Sequence, residues 1–278
     1  MTQTSAAPLA GRRILVTGAS RGLGREMALA LAEAGADLAL MGARPGAALD
    51  ATVAEAEALG ATVLPLTCDV ADPAACAAAM QAVITRFGGL DVLVNNAGLG
   101  MRAISERFNT VPTRFWEADP AAWAAIVATN VNGPFYLARL AAQQMVAQGA
   151  GKIVNISTSD QTMVRRGYSP YGPSKAALEA ASRVWAQDLA GTGVTVNVYL
   201  PGGAADTDLL PPSANKRGAD GNLLPAGIMR RAILWLCGPA SDGQTGGRYI
   251  ARLWDDSLPE AAAAEGARCR SVEKPEIM

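Results

Sequence analysis

Tyr171 and Lys175 stand four residues apart at the start of a segment with helical spacing, so both side chains fall on one helix face. A phenol with a pKa of ~10 is a poor base at neutral pH unless a nearby positive charge stabilises the phenolate. The Lys175 ammonium is such a charge. Together the pair would suit moving a proton to or from an oxygen. The chain has no histidine, which removes imidazole bases and histidine-ligated zinc from consideration. Acid–base work must fall to Tyr, Lys, Asp, Glu or Cys. Alone, Tyr and Lys at this spacing would mark a solvated helix face, so their weight depends on what surrounds them.

A second feature lies at the other end of the chain. Thr17-Gly18-Ala19-Ser20-Arg21-Gly22-Leu23-Gly24 follows an apolar run and precedes a helical one. Glycines there let the backbone turn tightly and approach a pyrophosphate, and the helix start offers amide donors to phosphate. NAD-binding folds of this design place a carboxylate about 20 residues beyond the glycine turn. Here the corresponding stretch is Met41-Gly42-Ala43-Arg44, with no acid. A guanidinium suits a 2′-phosphate, and Arg21 could contribute. NADP(H) is therefore expected over NAD(H); the competing reading is that Arg44 faces solvent.

These residues need elements to hold them. Strands are expected at Arg12–Thr17, Asp37–Met41, Thr62–Leu66, Asp91–Val94, Lys152–Ile156, Val194–Tyr199 and Arg248–Ala251. Between them lie helical segments at Arg25–Ala34, Ala47–Leu59, Pro73–Phe87, Pro120–Gln148 with a break near Gly133-Pro134, Tyr171–Leu189 and Gly227–Cys237. Strands alternating with crossover helices imply an α/β fold, a Rossmann-type doubly wound parallel sheet with helices on both faces. One domain over residues 11–256 is expected, with tails at 1–10 and 257–278. In the second tail, Ala261–Ala264 is either a short helix or a disordered end. Two long segments, Leu99–Asp119 and Pro201–Pro225, would leave carboxyl ends of strands, where ligands bind.

The net charge of −1 gives no electrostatic case for nucleic acid or a membrane surface, and no apolar run would span a bilayer. Met1–Gly11 lacks the apolar core of a signal peptide, and four scattered cysteines suit a reducing compartment. A cytoplasmic protein is expected.

Further motifs follow in order: Cys68-Asp69-Val70, Asn95-Asn96-Ala97-Gly98, Asn130 with Gly133, Tyr171-Gly172-Pro173-Ser174-Lys175, and Pro201-Gly202. With the glycine turn, they make the chain resemble the short-chain dehydrogenase/reductase superfamily, single-domain branch, from about Gly11 to Trp254. The resemblance implies that Gly18, Ser20, Arg21, Gly22, Leu23 and Gly24 hold the cofactor. It places Asp69 and Val70 beside the adenine and lines the cofactor trough with Asn96, Ala97 and Gly98. Tyr171 would exchange a proton with a carbonyl or alcohol oxygen of a small-molecule substrate. Lys175 would lower the tyrosine pKa and hold the nicotinamide ribose, and Asn130 would position a water linking Lys175 to solvent. A hydroxyl at the end of the fifth strand would hold the substrate oxygen. The family's spacing puts it on Thr158, and a shift of one residue would put it on Ser157 or Ser159. After Pro201 and Gly202 the family's threonine would be Thr207, one residue later than usual.

Arginines near the expected substrate walls (Arg102, Arg107, Arg114, Arg165 and Arg166) would suit a substrate carboxylate, or simply face solvent or another subunit. The family also implies a homodimer or homotetramer through helices near Asn130–Gln148 and Tyr171–Leu189. Two other function classes stay open: a nicotinamide-binding regulator without hydride chemistry, and a dehydratase or isomerase on the same fold.

Overall fold

The computed structural model describes residues 7–212, 216–218 and 221–269. Its sheet is built from β1 (Arg13–Thr17), β2 (Asp37–Gly42), β3 (Val63–Thr67), β4 (Val92–Asn95), β5 (Gly151–Ile156), β6 (Val194–Leu200) and β7 (Arg248–Ile250). The order is β3-β2-β1-β4-β5-β6-β7 and every pairing is parallel. The order reverses between β1 and β4. That opens a crevice at their carboxyl ends, the position where doubly wound sheets bind ligands.

The crossovers run through α1 (Gly22–Glu33), α2 (Ala47–Ala58), α3 (Pro73–Phe87), α4 (Pro120–Val127), α5 (Gly133–Gln148), α6 (Asp160–Met163), α7 (Tyr171–Asp188) and α8 (Arg230–Cys237), and α9 (Glu260–Ala267) follows the last strand. Alternate strand residues face opposite sides, and the strands here are apolar on both. Ile14, Val16, Leu38, Leu40, Val92 and Val94 point to one core with α1, α2, α8 and α9. Leu15, Ala39, Met41, Leu93 and Ile153 point to the other, with α3, α5 and α7. Pro65 lies in β3, an edge strand, where its missing N–H costs no internal ladder bond.

Helix starts follow their local chemistry. Asp72 caps α3 by accepting from the amides of Ala74 (2.8 Å) and Ala75 (3.3 Å), with Pro73 in the first turn. Asp119 and Pro120 repeat the device at α4. The expected break in the long helix is a π turn at Ala128–Asn132, immediately before Gly133. Pro134 has no N–H to give the Asn130 carbonyl four residues back, so a regular α ladder cannot run through. Past Asp256, α9 buries Ala263, Ala264 and Ala267 against the first core. The Cys269 amide then donates to the Arg248 carbonyl at 2.7 Å. Among the described residues, no helix is long and apolar enough to cross a membrane.

Candidate active site at the carboxyl ends of the strands

The glycine turn leaves β1 and enters α1. Gly18 and Gly22 have φ of +64° and +55°, a region that penalises any side chain. A Cβ on Gly24 would run into the Gly18 carbonyl and the Asn96 side-chain amide. Asn96 clamps this turn: its Nδ2 donates to the carbonyls of Thr17 (2.9 Å) and Gly18 (3.1 Å). The Thr17 hydroxyl accepts from the amides of Asn96 and Ala97, both at 2.9 Å. The start of α1 has no side-chain cap and no acid in its first turn, so its amides are left for an anion. The turn therefore fits a pyrophosphate. Replacing Gly24 by Ala is expected to cost about 1–3 kcal/mol of stability, read by chemical denaturation. NADPH affinity should fall roughly tenfold or more, about 1.4 kcal/mol, by fluorescence titration.

Ser20 sits under the end of β2, where a Cβ on Gly42 would come within 2.6 Å of its Oγ. Arg44 follows two residues later, exposed and without an ion pair among the described residues. Arg21 is also exposed and pairs with Asp208 at 3.4 Å. Asp69 is exposed and Val70 buried. Val70 packs on Gly133 so closely that a Cβ there would approach its Cγ2 to 2.8 Å. Thr207 rests on the glycine turn, its methyl 3.1 Å from where a Gly22 Cβ would stand.

The chemistry-bearing side chains gather on the far side of the crevice. Lys175 is buried, and its Nζ donates to the Ile156 carbonyl at 2.8 Å. A Cβ on Gly98 would lie 3.7 Å from that Nζ. Burial lowers the ammonium pKa to about 8. Burial likewise raises the Tyr171 phenol to about 12, against a hydrogen bond from Thr158 that favours the phenolate. Without another positive charge, Tyr171 is a proton donor at neutral pH. Of the three candidate hydroxyls, Thr158 is the one whose presence favours the charged form of the phenol, and both side chains line the same cleft. Ser159 instead caps α6, accepting from the Thr162 amide at 3.3 Å, and Ser157 is buried beside Glu179. Asn130 is fully buried. Its amide group exchanges hydrogen bonds with the Leu99 backbone (2.8 and 2.9 Å) and donates to the Ser174 hydroxyl at 3.0 Å, which donates to the Tyr171 carbonyl at 2.7 Å.

A cleft of about 310 Å³ opens above Tyr171 and Thr158, bounded by Leu23, Met101, Phe108, Tyr168, Pro201, Gly202 and Thr207. Phe108 meets Tyr168 edge-on at 5.5 Å, and Thr113 bonds the Gly167 carbonyl at 2.8 Å, so two loops close one wall. Of the five arginines singled out from the sequence, Arg165 alone lines the cleft, with its guanidinium 4.7 Å from the Tyr168 ring centroid. Arg102 and Arg114 pair with Glu106 and Glu117.

Three features escaped the sequence reading. Asn95, Asn155 and Ser182 form a buried hydrogen-bonded ladder across β4, β5 and α7, at 2.9 and 2.8 Å. An asparagine closing each of two apolar strands was the available signal. Ser174 links Asn130 to Tyr171. Arg248 reaches over the Thr158 segment from β7, and a lone arginine opening a strand carries no periodic signal at all.

A family model described as short chain dehydrogenase matches residues 12–218. The chain is 35% identical over 194 residues to a gluconate 5-dehydrogenase of Gluconobacter oxydans, covering 70% of this chain and 72% of that one. It is 37% identical over 188 residues to a 3-oxoacyl-(acyl-carrier-protein) reductase of Staphylococcus aureus, covering 68% and 72%. The crystal structure of a gluconate 5-dehydrogenase from Burkholderia cenocepacia, in complex with NADP and tartrate, has a TM-score of 0.76 at 29% identity. It covers 88% of this chain and 95% of that one.

Proposed function

Because the chain belongs to the short-chain dehydrogenase/reductase family, and is therefore an NAD(P)-dependent oxidoreductase, we propose that it interconverts a small-molecule carbonyl and its alcohol with Tyr171 as general acid and base. The observation that carries this reading is that Thr158 and Tyr171 line the cleft together, with Lys175 buried one turn along α7 from Tyr171. Nicotinamide, when bound, supplies or accepts the hydride. Tyr171 gives its proton to the substrate oxygen in reduction and takes one in oxidation. Thr158 donates to the same oxygen and sets it beside the phenol. Lys175 would favour the phenolate and would hold the nicotinamide ribose, while Asn130 fixes the Leu99 backbone and, through Ser174, the first turn of α7. Gly18, Gly22, Gly24, Asn96, Ala97 and Gly98 line the cofactor trough.

The phosphorylated cofactor is the better match. No acid follows β2 to bind ribose hydroxyls, and Arg44 is exposed beside the glycine turn. Turnover with NADP(H) should exceed that with NAD(H) by roughly tenfold or more in kcat/KM, and Arg44→Ala should narrow the gap, a phosphate contact being worth about 1.5–3 kcal/mol. A preference for NAD(H) in paired assays contradicts the assignment. A spectrophotometric screen of ketones, aldehydes and alcohols with both cofactors tests the activity itself. If the substrate carries an acidic group, Arg165 is one of the cleft arginines that could meet it, beside Arg217 and Arg252, and acidic carbonyls should outperform neutral ones.

Trp123, Phe135 and Val184 leave apolar surface exposed on α4, α5 and α7, which supports a homodimer or homotetramer through these helices. Cys68, Cys76 and Cys237 are buried thiols, in keeping with a cytoplasmic setting.

A further inference from the structure

Thr158 lies in an irregular segment, two residues beyond the end of β5. A hydroxyl meant to hold a substrate oxygen needs a fixed backbone, and the segment's own hydrogen bonding does not supply one at Thr158. The anchor comes from the last strand. Arg248 opens β7 with a side chain only 14% exposed. Its Nη2 donates to the Thr158 carbonyl at 2.9 Å and lies 2.6 Å from Asp160 Oδ1. Its Nε donates to both carboxylate oxygens of Glu179, at 3.1 and 2.9 Å. Glu179 follows Lys175 by four residues and Tyr171 by eight, on the same face of α7. One guanidinium thus ties the Thr158 backbone to the helix that carries the other two functional side chains. An ammonium is a point charge on a flexible stem and cannot span these acceptors in a fixed fork.

We infer that Arg248, held by Glu179, is a positioning residue: through the Thr158 carbonyl it sets the threonine hydroxyl against the Tyr171 phenol. The inference rests on the reading of Thr158 as the hydroxyl that holds the substrate oxygen. It also explains why a charged residue occupies an otherwise apolar strand position beside the cleft.

The test is a double-mutant cycle on the full chain: Arg248→Met, Thr158→Ala and both together. It is assayed with NADPH and the carbonyl of the screening panel that turns over fastest. Arg248→Met is expected to lower kcat about 10- to 100-fold, with the NADPH dissociation constant changed less than about threefold by fluorescence. In the Thr158→Ala background the same substitution should add less than about twofold, because residues acting as one unit are not additive. Arg248→Met leaves the Glu179 carboxylate unpaired, so Arg248→Met with Glu179→Gln is the companion variant. It should recover thermal stability without recovering kcat. Arg248→Lys should likewise keep stability and lose turnover. Unchanged kcat in Arg248→Met or Arg248→Lys overturns the inference. So do losses that multiply with Thr158→Ala, NADPH affinity falling in step with kcat, or full turnover in the companion variant. An active Thr158→Ala, or no turnover on the panel, removes the reading of the site and the inference with it.

Discussion

Replacing Tyr171 with Phe is expected to lower kcat/KM for carbonyl reduction about a thousandfold, within the range of a positioned acid–base group. The substitution removes one oxygen and keeps the ring in its pocket. The NADPH dissociation constant should therefore move less than about threefold, and the fold should survive. The size of the loss follows from what remains around the substrate oxygen. Thr158 still donates a hydrogen bond, but its hydroxyl is far too weak an acid to release a proton, and Lys175 is held by the Ile156 carbonyl. No histidine exists to substitute. Steady-state assays of the two proteins at equal NADPH saturation provide the check. Activity within about tenfold of the parent would move the proton source elsewhere.

Replacing Lys175 with Met should separate stability from activity. Holding this ammonium at a pKa of about 8 instead of 10.5 costs the folded protein about 3 kcal/mol as long as it stays charged. The sign follows from the depressed folded value. Below pH ~8 the cost is fully present, because both folded and unfolded chains carry the proton. Between pH ~8 and ~10.5 only the unfolded chain carries it, and the cost shrinks to nothing. Methionine removes the charge but strands the Ile156 carbonyl, which returns about 1–2 kcal/mol of the gain. The variant should therefore unfold at higher denaturant at pH 7, by about 1–2 kcal/mol, with the advantage fading toward pH 10. Turnover should drop about a hundredfold or more, since the charge proposed to favour the phenolate is gone. Matching denaturation curves at pH 7 and 9.5 would contradict the buried-ammonium account. In the parent enzyme, the same titration should cut turnover as pH rises through about 8.

The parts visible in the sequence were those with a local cause. Apolar strands buried on both faces, Asp-Pro helix starts at Asp72 and Asp119, and a glycine turn between β1 and α1 each depend on a few neighbouring residues. The parallel sheet follows from that alternation, while its strand order is given by the structure. The π turn at Ala128–Asn132 was half visible, since Gly133-Pro134 announced a break without giving its form. Ser157, Thr158 and Ser159 differ only in three-dimensional surroundings: Thr158 lines the cleft with Tyr171, Ser159 caps α6 through the Thr162 amide, and the Ser157 hydroxyl is buried without a hydrogen-bond partner among the described residues. The Arg248–Glu179 pair joins residues 69 positions apart, and the same guanidinium also holds the Thr158 carbonyl of a third segment. Neither periodicity nor motif spacing encodes such a link. The α9 contact is similar, because Ala263, Ala264 and Ala267 are informative only once the β7 edge is present to receive them.

The proposed reaction is hydride exchange with a carbonyl carbon, with Tyr171 serving the oxygen. It is met most directly by running the fastest panel carbonyl with NADPH labelled by deuterium at the transferred position and analysing the product by mass spectrometry and NMR. Deuterium is expected on the carbinol carbon, formed in step with loss of nicotinamide absorbance, and none in the Tyr171→Phe protein on the same timescale. Product formed without label and without absorbance change would contradict it, and would point to isomerisation or dehydration on this fold.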